Sequence, residues 1–174
     1  MTVNARRKMY MWICYSALMF VVVILQTTVL SKFRVLSCTP SLIPFIVAVI
    51  SLRQGVGEGM IAGLVGGFFC DAIYSEHEAF YLMTMCLLAF VICLINTVMY
   101  WKNFGMAILD WAVLMSLMHF FHYCLYMLAA GKGSIASLLY VIPGEFIATL
   151  PFTPFLYVII KKTEKSFEAL EEDQ

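Results

Sequence analysis

The chain has 174 residues, 63% of them hydrophobic and only 13% charged, with a mean hydropathy of +0.90. That charged share is about half the level of an average soluble protein, which points to an integral membrane protein with little chain left over for water-soluble parts. Net charge is zero and no basic patch interleaved with aromatics occurs, so the electrostatic footprint of nucleic-acid binding is missing.

Arg6-Arg7-Lys8 precedes an uncharged run from Met9 to Ser31. The run is longer than the apolar part of a signal peptide and no Ala-x-Ala site follows, so an uncleaved spanning helix over about 9–30 is expected. Residues 35–52 are again uncharged but interrupted by Pro40 and Pro44. They predict a shorter second helix over 41–52, marginal in length for a full crossing. Arg53-Gln54-Gly55 links it to a third helix over 56–74, followed by the acidic turn Ser75-Glu76-His77-Glu78. A fourth helix over 79–100 ends before Lys102-Asn103, a fifth spans 105–130, and a sixth spans 134–160. Pro143, Pro151 and Pro154 should kink or interrupt the last of these. Residues 161–174 are charged and read as a solvated tail.

The expected fold is therefore an all-α integral membrane protein, one membrane domain over 1–174 with six transmembrane helices. If the N-terminus is cytoplasmic, eight of the eleven Lys and Arg residues fall on the inner side, which places both termini in the cytoplasm.

The third helix carries an unusual pattern. Gly55, Gly59, Gly63 and Gly67 recur every four residues, and Asp71 stands at the next step. On a helix these form one slowly drifting stripe. Each glycine costs about 0.8–1 kcal/mol against alanine in water, so such a series is out of place in a soluble helix. In lipid, small residues let a neighbouring helix approach closely. The stripe is thus a helix-packing groove, open either to a partner's helix or to the protein's own first and second helices.

Ionisable groups inside apolar segments are costly and mark functional or paired positions. His119 and Glu145 each lie roughly 16 Å from the outer end of their helices, at one depth, so they can pair. Asp71 is placed to accept hydrogen bonds from Gln26 or Thr27, and Asp110 to reach water or Lys102. His119 and His122 share a face, but no third ligand accompanies them, so no metal site is expected. Six cysteines occur without a Cys-x-x-Cys pair, which leaves them as apolar filler rather than a disulfide framework. No Gly-x-Ser-x-Gly, P-loop or His-Glu-x-x-His motif is present. The residues point to a non-enzymatic protein without a cofactor that acts by binding.

Leu25-Gln26-Thr27-Thr28 closes the first helix, Pro40-Ser41-Leu42 opens the second, and Arg53-Gln54-Gly55 leads into Gly59-Met-Ile-Ala-Gly63-Leu-Val-Gly66-Gly67-Phe-Phe-Cys-Asp71. In order and spacing this stretch resembles the rod-shape-determining MreD family, although Ser41 stands where that family usually has an acid. The resemblance implies a multi-pass component of the bacterial inner membrane within the cell-elongation (rod) complex, active in cell shape and peptidoglycan synthesis. It implies binding of MreC through its transmembrane helix and, through it, a link from MreB filaments to RodA and the class B penicillin-binding transpeptidase. It also implies a fold like the substrate-binding subunits of energy-coupling-factor transporters. That likeness makes a small-molecule binder the alternative, with Tyr123, Tyr126, His119, Glu145 and the loop near Glu76 as lining. A proton-coupled transporter using Asp71, His119 and Glu145 is a third expectation.

Overall fold

The computed structural model describes residues 3–32, 38–74, 79–98, 102–128 and 135–172. Among these the chain is helical, with no strand element. Its helices are α1 (Val3–Thr28), α2 (Ile43–Arg53), α3 (Val56–Tyr74), α4 (Phe80–Val98), α5 (Phe104–His122), α6 (Ile135–Thr149) and α7 (Thr153–Glu172). A π-helical segment, Tyr123–Leu128, extends α5, and 3-10 turns occur at Leu30–Lys32 and Leu150–Phe152.

Five helical runs are long and apolar enough to cross a membrane: Lys8–Lys32, Val56–Ile73, Phe80–Val98, Phe104–Leu125 and Leu139–Phe167. The second predicted helix does not join them. α2 has 11 residues, a rise of about 16 Å against a hydrocarbon core of about 30 Å. Instead it is enclosed: every residue from Ile43 to Leu52 is buried. The long helices surround it, and their outer faces expose large apolar side chains such as Phe20, Phe68, Met83, Leu139 and Phe155, as a lipid-facing surface requires. Phe45 of α2 meets Trp111 of α5 edge-on at 5.6 Å, and Trp111 stacks on Phe146 of α6 at 4.4 Å, so one aromatic column ties three helices together.

A helix that ends inside an apolar bundle leaves backbone groups that water cannot reach. α2 meets this at its buried start with side chains from its neighbours, and its partly exposed end also takes side-chain donors. At its start, the Leu42 N–H donates to Gln26 Oε1 of α1 at 3.2 Å. The Ser41 N–H donates to Thr149 Oγ1 of α6 at 3.0 Å. Pro44 removes one further donor from the first turn. At its end, the Cys93 thiol donates to the Ser51 carbonyl at 3.2 Å and Lys102 Nζ to the Arg53 carbonyl at 2.9 Å.

Contacts fix the direction of each helix. Lys8 of α1 pairs with Glu58 at the start of α3. Gln54, at the end of α2, reaches Tyr15 of α1, and Arg53 pairs with Glu164 of α7. The start of α1 and the far part of α7 thus lie at the same end of the bundle, where Lys8, Arg53 and Lys102 gather. α1, α3 and α5 run away from that end. α2, α4 and the α6–α7 pair run toward it.

Two boundaries differ from expectation. The last predicted helix is split by the 3-10 turn at Leu150–Phe152, where Pro151 stands, whereas Pro143 lies inside continuous helix. The predicted solvated tail is helical as far as Glu172. Glu164 is drawn onto Arg53 and Phe167 packs against the core, so this segment is docked rather than loose.

Gln26→Leu keeps the side-chain volume but deprives the Leu42 N–H of its acceptor. The expected loss is about 1–3 kcal/mol of stability, the cost of an unsatisfied buried donor. Equilibrium unfolding in mixed micelles measures it, and an unchanged midpoint would show that the start of α2 does not depend on α1.

Candidate functional site

The glycine stripe is filled from within the molecule. A Cβ placed on Gly63 would stand 2.7 Å from the Met85 carbonyl oxygen and 2.9 Å from the Cα of Cys86, both in α4. A Cβ on Gly67 would stand 2.6 Å from the Tyr81 carbonyl oxygen, again in α4. Side chains at these positions would push backbone against backbone, so α3 and α4 pack this closely only because glycine is there. Gly59 faces the Cys93 thiol of α4 and Ser51 of α2, and Gly66 faces Val47 and Ile43 of α2. The groove therefore receives α4 first and α2 second, not α1 and α2 as the sequence suggested. Gly55 is not part of it. It is exposed in the link before α3, and its N–H donates to Glu58 Oε2 at 3.1 Å.

Asp71 completes the same device. Its Oδ1 accepts from the Tyr81 N–H and its Oδ2 from the Leu82 N–H, each at 2.9 Å. These are first-turn amides of α4, which in most helices are satisfied by an N-cap side chain. The residue before α4 is Ala79, which has no side-chain acceptor and sits at a φ of 61°. Asp71 supplies the acceptor from the preceding helix, and its charge suits the positive end of the α4 dipole. It does not take hydrogen bonds from Gln26 or Thr27: Gln26 serves Leu42, and Thr27 Oγ1 donates to carbonyls of its own helix.

Asp110 also departs from expectation. It is 4% exposed and accepts from Asn96 Nδ2 of α4 at 2.7 Å, while Lys102 turns to the Arg53 carbonyl. His119 and Glu145 do meet, with Nε2 and Oε2 3.0 Å apart and about a fifth of each side chain exposed. Glu145 is tied further into α2, because its carbonyl accepts from the Thr149 hydroxyl that receives the Ser41 N–H. His122 turns elsewhere: it stacks on Tyr81 at 6.5 Å and meets Phe80 edge-on at 5.6 Å. The two imidazoles thus serve different neighbours. All six cysteines are free thiols, and no three His, Cys, Asp or Glu side chains cluster among the described residues. Glu76 and the side chain of Tyr126, part of the expected small-molecule lining, lie outside the described structure.

Comparison with protein-family models, with curated proteins and with solved structures finds no match for this chain. The geometry consequently stands alone. Its polar groups hold helices together: Gln26 and Thr149 at the start of α2, Asp71 at the start of α4, and His119–Glu145 between α5 and α6. Sequence reasoning did not find Thr149, Ser51 or Cys93, since a small polar residue in an apolar run gives no sign of the carbonyl or amide it will meet.

Gly63→Leu is expected to cost at least about 1–3 kcal/mol, the range for forced overpacking, and to loosen the α3–α4 pair. Gly57→Ala is its control: no atom lies within 4 Å of the added Cβ, and helix propensity predicts a gain of up to about 1 kcal/mol. Asp71→Ala should cost about 2–4 kcal/mol by leaving two amides without a charged acceptor, and Asp71→Asn less. Thermal unfolding in detergent ranks the four variants, and a neutral Gly63→Leu would contradict the close approach.

For the His119–Glu145 pair a double-mutant cycle with His119→Leu and Glu145→Gln separates contact from site. Coupling of about 0.5–3 kcal/mol is expected between residues in direct contact. Additive effects would mean that the two do not act on each other.

Proposed function

We propose that this chain is a non-enzymatic, MreD-like component of the bacterial cell-elongation complex. In this reading it lies in the inner membrane with both termini in the cytoplasm, and α2 is the sixth, incomplete crossing. It binds the transmembrane helix of MreC and through it links MreB filaments to RodA and the class B transpeptidase. The observation that carries the reading is the ordered set Gln26, Pro40-Ser41-Leu42, Arg53-Gln54-Gly55 and Gly63-x-x-x-Gly67-x-x-x-Asp71. The use made of these residues supports it. Gln26 and Leu42 bond to each other, Arg53 anchors α7, and Gly63, Gly67 and Asp71 together seat α4. They form one packed unit, as the parts of a fold signature should.

Because α4 fills the glycine groove, the docking surface for MreC belongs on the outer, lipid-facing side of the bundle. There association relies on close packing and interhelical hydrogen bonds rather than hydrophobic burial. Affinity purification from native membranes in mild detergent, with mass spectrometry of the co-eluting proteins, tests the reading. Recovery of a protein with one spanning helix and a periplasmic coiled coil is expected, together with loss of rod shape on depletion. Recovery of a nucleotide-hydrolysing energising module instead would replace this reading with that of a transporter subunit.

A further inference from the structure

α7 continues as one helix from the apolar run into the charged end of the chain, and its two faces differ throughout. On one face Thr153, Leu156, Tyr157 and Ile160 are buried, and Glu164 and Phe167 carry the same face onward into its docking contacts. At 3.6 residues per turn the opposite face holds Phe155, Val158, Lys161, Lys162 and Lys165, and all five are exposed. Phe155 and Val158 are 69% and 60% exposed. The lysines therefore stand in line with a surface that faces lipid.

Contacts with α5 set their level. Tyr157 packs edge-on against Phe104, ring centroids 5.1 Å apart, and its hydroxyl donates to the Lys102 carbonyl at 3.4 Å. Lys102-Asn103 is the polar link before the apolar run of α5, so the edge of the apolar layer passes close to Tyr157. Lys161 and Lys162 lie about 6–8 Å beyond that edge and Lys165 about 12 Å, at 1.5 Å per residue. The headgroup layer is about 5–7 Å deep on each side of a bilayer. A lysine stem can lie along apolar surface while its ammonium stays in that layer.

The charge of this face is not balanced within the protein. Glu164 is the only acid among residues 153–167, and its spacing from Lys161 would suit an intrahelical pair. Instead both its oxygens turn inward, Oε2 to Arg53 Nε and Oε1 to Gln54 Nε2 at 3.5 Å. Among the described residues no acid pairs with Lys161, Lys162 or Lys165. Glu168, Glu171, Glu172 and Asp173 all follow them in the chain. The other cations of this end are engaged: Lys8 pairs with Glu58, Arg53 with Glu164, and Lys102 donates to the Arg53 carbonyl.

We propose that the Lys161, Lys162 and Lys165 face of α7 binds the headgroups of anionic phospholipids in the leaflet at the basic end of the bundle. Each ammonium brings three donors and no acid of its own, and phosphate oxygens supply the acceptors. The preceding turns of the same face, at Phe155 and Val158, lie against the acyl chains. A zwitterionic headgroup carries its own cation and gains less from the lysines. Arg53 acts at a distance: by holding Glu164 inward it leaves the lipid-side face positive. The inference requires only that the bundle sits in a bilayer and is independent of the cell-elongation reading.

The test is native mass spectrometry of the full chain, delipidated in detergent and titrated separately with dioleoyl phosphatidylglycerol and dioleoyl phosphatidylcholine. Phosphatidylglycerol should bind at least about tenfold more tightly, since each lysine near an anionic surface contributes about fivefold. Lys162→Gln should weaken phosphatidylglycerol by about that one fivefold step. The triple variant Lys161→Gln, Lys162→Gln, Lys165→Gln should bring the two lipids within about threefold of each other. Its thermal midpoint should stay unchanged, because no protein group loses a partner, and the corresponding triple arginine variant should keep the preference. Lys8→Gln removes the same charge from the same end, but from a lysine already paired with Glu58, and should change binding by less than about twofold. Glycerol 3-phosphate, which has the phosphate without acyl chains, should not displace the lipid. Equal binding of the two lipids overturns the proposal and leaves the lysines to a soluble acidic partner. So does a triple glutamine variant that keeps the preference. A Lys8→Gln loss equal to that of Lys162→Gln would mark net charge alone and overturn it too. Displacement by glycerol 3-phosphate would make this a soluble phosphate site, and the lipid assignment would fail.

Discussion

α2 is too short to cross a bilayer, and its start and body are enclosed by the longer helices while its end reaches the charged end of the bundle. Its first amides must find partners in the protein, and they do so in α1 and α6; its last carbonyls also take donors, from α4 and from the residue that leads into α5. Gln26, Thr149, Cys93 and Lys102 each contribute one hydrogen bond to this small helix. The surrounding helices thus have two tasks, to present apolar surface to lipid and to deliver polar atoms at set depths inside. The aromatic column Phe45–Trp111–Phe146 adds a lateral tie at the same core. Displacing α1 or α6 would leave the amides at the start of α2 buried and unpaired, a cost of several kcal/mol each in hydrocarbon.

The α3–α4 pair follows the same logic at closer range. Gly63 and Gly67 bring the backbones together, and Asp71 receives the amides that this approach places within reach. Glycines and acid are one device, since the carboxylate can cap α4 only if α4 lies against the stripe. For function the consequence is that the smoothest surface on the chain is already occupied. In the reading proposed above, recognition of a partner falls to outer faces whose composition resembles any lipid-facing helix.

Each of the intramembrane carboxylates is engaged inside the protein: Asp71 with two amides, Asp110 with Asn96, and Glu145 with His119. An unpaired charge in this setting would be expensive. Their arrangement suits a scaffold whose helices are locked in position. Among the described residues three buried polar atoms are left without a partner: Ser51 Oγ, Asn96 Oδ1 and, in the aromatic column, Trp111 Nε1.

Much of this was legible in the sequence. Hydropathy marked the long helices, because a lipid-facing segment must be apolar over its whole length whatever its neighbours are. Pro40, Pro44 and Arg53 bounded α2 and showed it to be short. The four-residue glycine spacing showed that something comes close to α3, and similar depths in adjoining helices paired His119 with Glu145. Tertiary structure alone decided that α4 fills the stripe, that Asp71 binds backbone amides, that Asp110 turns to Asn96, and that Glu164 and Phe167 dock α7 beyond the apolar run. The physical reason is the same in each case. A sequence states what a segment must hide or satisfy, but in a bundle several helices could meet that need, and only packing of the whole selects which one does.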